Sequence, residues 1–212
     1  MLRNPVGLSY AVVALLASMI LSDVFLFFSV LDVWFLTAGG TEKNMAGFSH
    51  LGVDVTTWGQ TLLSLPTQIV FIIWFFRVRR NAEVFASDLH RGGPGWAIGA
   101  WFVPIAQFWW PRSVAAGTWR ASRRDPYGDG KEEPLALLNW WWAVWIFSVL
   151  FGTFASAVYD DADRADEFRA GAGLLVAWTV LDTVAAVLAI LFVRRLTSMQ
   201  HRKATGMIPA AQ

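Results

Sequence analysis

Residues 95–111 read Gly95-Trp96-Ala97-Ile98-Gly99-Ala100-Trp101-Phe102-Val103-Pro104-Ile105-Ala106-Gln107-Phe108-Trp109-Trp110-Pro111. The stretch is as apolar as a membrane span, yet it carries four Trp and an internal Pro. Arg91 precedes it, and Arg112, Arg120, Arg123 and Arg124 follow. A segment that crosses a bilayer leaves one flank poor in Lys and Arg. Basic flanks on both sides therefore predict a segment that dips in and returns, or one that lies in the interface.

The rest of the chain agrees with a membrane setting. Of 212 residues, 56% are hydrophobic and 16% charged, against about 25% charged in a soluble domain. About 20 apolar residues cross the hydrocarbon core. Four runs meet that length, at residues 8–36, 56–76, 137–159 and 172–193. The first is too long for the apolar part of a signal peptide and is read as an uncleaved span. Lipid offers the backbone no hydrogen-bond partner, so each run should be helical. The expected fold is an all-α integral membrane protein: four transmembrane helices plus a Trp/Pro-rich helical segment, re-entrant or interfacial, over 94–124. A single polytopic domain over 1–204 and a flexible tail over 205–212 are expected.

Charge sets the orientation. With both termini inside and the Trp-rich segment not crossing, fourteen Lys and Arg lie in the cytoplasm and three, Lys43, Arg164 and Arg169, outside. If the segment crossed, the split would be seven against ten. The positive-inside bias favours the first arrangement. The acidic loop from Asp160 to Glu167 then faces out as a solvated cap, and its spacing matches no EF-hand. Trp74, Trp96, Trp101, Trp109, Trp110, Trp119, Trp140, Trp141, Trp142 and Trp145 gather near the cytoplasmic leaflet in this topology, where indole rings settle at headgroup level.

Within the middle segment, Gly92, Gly93, Pro94 and Gly95 break the chain, and residues 96–103 can form about two helical turns. Pro104 ends them. Pro111 suits a first helical turn, and residues 112–124 look amphipathic, with Val114, Ala115, Thr118 and Trp119 on one face. Arg112, Arg120, Arg123 and Arg124 can reach anionic headgroups at roughly 1 kcal/mol each. Trp101, Pro104, Gln107, Trp109, Pro111, Trp119, Asn139 and Trp140 complete this candidate cytoplasmic motif. Asn139 is placed to cap the third span or to bond the re-entrant turn.

Several of these residues also carry a resemblance. Asn81-Ala82, Gly95-Trp96-Ala97, Trp101 to Ile105, Trp109, Pro111, Trp119 to Ser122 and Leu138 to Trp142 resemble the bacterial membrane proteins grouped as domain-of-unknown-function family 4328. Leu181-Asp182, Val193 to Thr197 and Gln200 fit as well, so the likeness covers roughly residues 70–200. Family members usually carry Asn where this chain has Gln107. The resemblance implies a bacterial plasma-membrane protein and supplies no reaction.

Asp23 and Asp182 lie near the middle of the first and fourth spans, and no span contains Lys or Arg to pair with them. Intramembrane carboxylates are costly and mark candidate functional sites. Desolvation favours the neutral acid. Ser22, Thr179, Thr183 and, beyond Pro66, Gln68 are candidate hydrogen-bond partners. The two acids form either a proton-linked or cation-binding site, or two neutral acids bonded for helix packing. Pro66 is expected to kink the second span. Ser148, Gly152 and Ser156 repeat every fourth residue, which lets helices approach closely.

Enzyme chemistry finds little support. There is no Cys, and the three His lie outside the apolar runs, so thiol chemistry, intramembrane metal or haem ligation and Ser–His hydrolysis lack their residues. No catalytic residue, metal site or cofactor is assigned. The expected function is a membrane-embedded interaction or accessory protein whose basic, aromatic platform meets the bilayer, anionic headgroups or a protein partner. The alternative is a small proton-linked transporter or channel using Asp23 and Asp182. Nucleic acid is not expected, because arginines are common at membrane surfaces.

Overall fold

Among the described residues six α-helices follow one another: α1 (Val6–Ala38), α2 (Phe48–Phe85), α3 (Trp96–Gly99), α4 (Trp110–Ser122), α5 (Ala136–Asp160) and α6 (Ala165–Met207). Short 3-10 turns stand at Ser87–Leu89 and Ala106–Phe108. The structure, a computed structural model, describes residues 2–38, 48–129, 131 and 133–207, without the side chains of 33, 36–38, 48–54, 56, 57, 165 and 207. No strand occurs among the described residues. Helices α1, α2, α5 and α6 are each long and apolar enough to cross a membrane.

Local chemistry starts these helices. Asn4 Oδ1 accepts the Val6 N–H at 3.0 Å and the Pro5 carbonyl accepts the Ser9 N–H at 3.0 Å, so Asn4 and Pro5 lead into α1. Glu167 Oε2 reaches back to the N–H groups of Asp163 and Arg164, at 3.1 and 3.3 Å, and closes the start of α6. The acidic loop is thus a capping device, with Arg164 paired to Glu167 at 2.7 Å.

The helices outrun the apolar stretches that announce them. α2 passes unbroken through Pro66 and continues beyond residue 76 to Phe85. α6 continues beyond residue 193 to Met207, past the expected start of a tail at 205. Residues 208–212 and Lys43 lie outside the described residues. The extensions remain helical because they bury a stripe of their own: Val78, Asn81 and Ala82 on α2, and Leu196, Met199 and Gln200 on α6.

The chain divides into two compact units. The first is Met1–Ala14, Thr67–Trp142 and Leu188–Gln212; the second is Leu15–Pro66 and Ala143–Val187. The first holds all fourteen Lys and Arg that the charge count groups together, against six Asp and Glu. The second holds three Lys and Arg against ten Asp and Glu.

An aromatic core fills the first unit. Phe192 lies between Trp141, stacked at 4.7 Å, and Trp119, stacked at 5.8 Å, with Trp74 edge-on at 6.0 Å. Trp101 joins from the middle segment, 5.8 Å from both Phe71 and Trp142. In the second unit Leu26, Val30, Ala155, Tyr159, Ala172 and Leu175 form the core. There Gly152 lies against the Trp178 ring with no room for a Cβ, so the small residues of α5 serve packing within the chain.

Candidate functional site

Two groups of polar and aromatic residues stand out, one in each unit. In the first unit the glycine-rich turn is held by Arg79, a 2% exposed residue of α2 whose Nη2 donates to the Gly92 carbonyl at 2.9 Å. Gly92 itself has φ +90, and a Cβ there would stand 2.9 Å from the Trp96 ring. Trp96 in turn stacks on Trp110 at 4.1 Å, closing residues 96–110 into a loop. Within it α3 has four residues and the following 3-10 turn three. At about 1.5 Å per residue, neither approaches a 30 Å hydrocarbon core. The expected two turns over 96–103 shorten to one.

Pro104 is followed by Ile105 at φ 66 and ψ -53, the centre of a γ-turn that a β-branched residue adopts only under strain. The bend turns apolar side chains outward: Phe102 is 72% and Ile105 69% exposed, and Trp109 and Trp140 are exposed too. Gln107 is half-buried in the 3-10 turn, its N–H bonded to the Val103 carbonyl at 3.0 Å.

The return from the bend is tied to α5. Trp142 Nε1 donates to the Phe108 carbonyl at 2.9 Å, and Arg112 Nη2 donates to Asn139 Oδ1 at 2.6 Å. Asn139 lies inside α5, which begins at Ala136, so it does not cap that helix but holds the segment that follows Pro111. Arg112 is correspondingly engaged with protein.

Helix α4 departs from the interfacial reading. Pro111, Val114, Ala115, Ala116, Gly117, Thr118, Trp119, Ala121 and Ser122 are all buried. A helix lying on a bilayer would bury one stripe in lipid; this one is enclosed by protein. Small residues make that possible: a Cβ at Gly117 would stand 3.1 Å from both the Leu89 carbonyl and His90 Nδ1. Of the four arginines, Arg120 and Arg124 are exposed, while Arg123 Nε donates to the Glu133 carbonyl at 3.0 Å.

Beneath lies a polar cluster whose residues carry the family resemblance but no assigned role. Gln200 Nε2 donates to the Val78 carbonyl at 2.8 Å and to Ser122 Oγ at 3.0 Å, and its Oε1 accepts from Asn81 Nδ2 at 3.1 Å. Trp119 Nε1 donates to the Glu133 carbonyl at 3.1 Å. His90 is half-buried and bonded to the Ala82 backbone, and its Nε2 finds no hydrogen-bond partner among the described residues. Burial first, and the charge of Arg79 second, push this imidazole below its ordinary value.

In the second unit Asp23 is 1% exposed. Gln60 Nε2 donates to Asp23 Oδ1, and Thr183 Oγ1 donates to Oδ2 at 3.3 Å. Asp182, the neighbour of Thr183, accepts from Ser148 Oγ at 2.8 Å. The acids repel each other when both are charged. Thr183 was among the expected partners; Gln60 was not. Gln68 is exposed, and Thr179 turns back to its own helix at the Val176 carbonyl. Gln60 lies eight residues before Gln68, at the start of the same apolar run, and that position is its only mark in the sequence.

No curated protein and no solved structure matches the chain. A family match extends over residues 39–198, and so reaches further toward the N-terminus than the motifs do. The tryptophan-rich turn, buried Asn81 and the acid of the last apolar helix all fall inside it, and the chain belongs to the family described as Domain of unknown function (DUF4328).

Proposed function

We propose that this protein is a membrane-embedded accessory protein of the bacterial plasma membrane, with both termini cytoplasmic. In this reading the first unit presents a basic, aromatic platform to the inner leaflet. One observation carries it: Phe102, Ile105 and Trp109 project from a loop of helices too short to cross, clasped by the Trp96–Trp110 stack. Exposed apolar side chains on a tied bend suit insertion into the leaflet from one side. Exposed Arg120 and Arg124 suit the anionic headgroups beside it. The surplus of fourteen cationic over six acidic residues in this unit fits the positive-inside rule.

The test is single-cysteine labelling in this cysteine-free chain. A membrane-impermeant maleimide applied to intact cells should reach a cysteine at Asp161 and miss cysteines at Ser87 and Tyr127. A cysteine at Phe102 should react only with a lipid-soluble reagent. Labelling at Tyr127 but not at Ser87 would mean that the Trp-rich segment crosses, and the platform reading would be wrong. Native mass spectrometry adds the lipid arm: Arg120→Gln with Arg124→Gln should lower retention of phosphatidylglycerol relative to phosphatidylcholine.

A second reading, a proton-linked transporter or channel, draws on the burial of Asp23 beside Asp182. Each acid already has its own donors, Gln60 and Thr183 for one and Ser148 for the other. That arrangement suits acids that pin helices together, and it places this reading second. A pH-gradient-driven flux in reconstituted vesicles, lost in Asp23→Asn or Asp182→Asn, would reverse the order.

A further inference from the structure

Glu133 sits where donors converge from α4, α6 and the segment between α4 and α5. Its carbonyl accepts Trp119 Nε1 and Arg123 Nε. Its carboxylate accepts the Arg124 N–H at 3.1 Å and faces the guanidinium groups of Arg195 and Arg202 at 3.9 and 3.8 Å. The two α6 arginines are seven residues apart, nearly two turns, and so share a face. They are 45% and 60% exposed, while the carboxylate between them is 12% exposed. One recessed carboxylate is therefore shared by two open guanidinium forks, and neither comes within hydrogen-bonding distance of it.

Such a carboxylate marks where an anion fits. A phosphate offers more oxygens than a carboxylate and matches the fork of each arginine. The Arg124 N–H supplies a third donor at the same point. Depth selects the source: Arg195 follows Leu191, Phe192 and Val193, the end of the apolar run of α6, and so belongs at headgroup level. We propose that Arg195, Arg202 and the Arg124 N–H bind the phosphate of an anionic lipid headgroup, with Glu133 as a built-in placeholder that yields the position to the lipid. The proposal rests on the platform reading above and names the residues and the competitor that would set lipid affinity there.

The experiment uses the full chain in detergent, titrated with short-chain phosphatidylglycerol, with short-chain phosphatidylcholine and with inorganic phosphate. Bound molecules are counted by native mass spectrometry. Arg195→Gln and Arg202→Gln should each weaken phosphatidylglycerol binding about fivefold. Glu133→Gln keeps an acceptor for the Arg124 N–H and removes the competing charge, so it should strengthen binding by a similar factor. A general loss of fold would weaken binding in every variant; a gain in Glu133→Gln has no such explanation. Should Glu133→Gln weaken binding or leave it unchanged, the placeholder is overturned. Inorganic phosphate that binds as tightly as the lipid would overturn the lipid assignment. If the α6 variants bind as the parent does while the Arg120 and Arg124 variants bind less, this site fails and the platform reading stands. If no variant and no lipid shows an anionic preference, the lipid arm of the platform reading fails as well.

Discussion

Asn81 grips Arg3 by both of its backbone polar groups. The Asn81 Oδ1 accepts the Arg3 N–H at 2.9 Å, and Asn81 Nδ2 donates to the Arg3 carbonyl at 2.8 Å. Arg77 adds a bond to the Asn4 carbonyl at 3.0 Å, and Asn81 passes the contact on to Gln200. A single buried amide thus ties the start of the chain to α2 and to the end of α6.

This clamp should be sensitive to its donor. Asn81→Asp keeps the acceptor for Arg3 but loses the Nδ2 bonds to the Arg3 carbonyl and to Gln200. Stranding those acceptors should cost about 1–3 kcal/mol, read as a lower thermal midpoint by tryptophan fluorescence in detergent. A variant as stable as the parent would show that the clamp contributes nothing.

Phe192 is the hub of the aromatic core, fully buried between Trp119 and Trp141. Phe192→Ala should destabilise the protein by about 3–5 kcal/mol. The exposed Phe154→Ala should change stability by no more than about 0.5 kcal/mol. Equal effects of the two substitutions in chemical unfolding would deny Phe192 its role.

The intramembrane acid distinguishes Gln60 from Gln68. Asp23→Asn keeps size and hydrogen bonding and should fold as the parent does. Asp23→Leu leaves the Gln60 amide and the Thr183 hydroxyl without their acceptor, at about 1–3 kcal/mol. Gln60→Leu should destabilise and Gln68→Leu should not, a comparison that thermal melts settle directly.

His90 makes stability depend on pH. Its folded value lies below the ordinary imidazole value of 6.5, through burial first and Arg79 second, with the Ala82 carbonyl, Glu83 and Asp88 opposing. As pH falls through about 6.5, the unfolded chain takes up a proton that the folded chain refuses. His90 therefore favours the folded state less as pH drops from that value toward the lowered one. His90→Gln should flatten this part of the profile, so the gap in thermal midpoint between parent and variant should change across that window. A constant gap would show that His90 does not titrate differently on folding.

Four apolar runs of spanning length, the breaking effect of Gly92 to Gly95 and the uneven spread of Lys and Arg were all legible from residues 1–212, because hydrocarbon thickness and backbone hydrogen bonding act on any sequence alike. The Gln60 partner of Asp23 was not. Core-facing and lipid-facing positions in a span are both apolar, so no periodicity tells Gln60 from Gln68; only the phase of α2 against its neighbours does. The environment of α4 was hidden for a related reason. Val114 and Trp119 announce an amphipathic helix, but an apolar face is the same whether it meets lipid or protein. Close approach at Gly117, with His90 and the Leu89 carbonyl packed against it, buried α4 and left Arg120 and Arg124 outside. Glu133 gained its place in the same way: the groups around it come from residues up to 69 positions away, and only the folded chain brings them to one carboxylate.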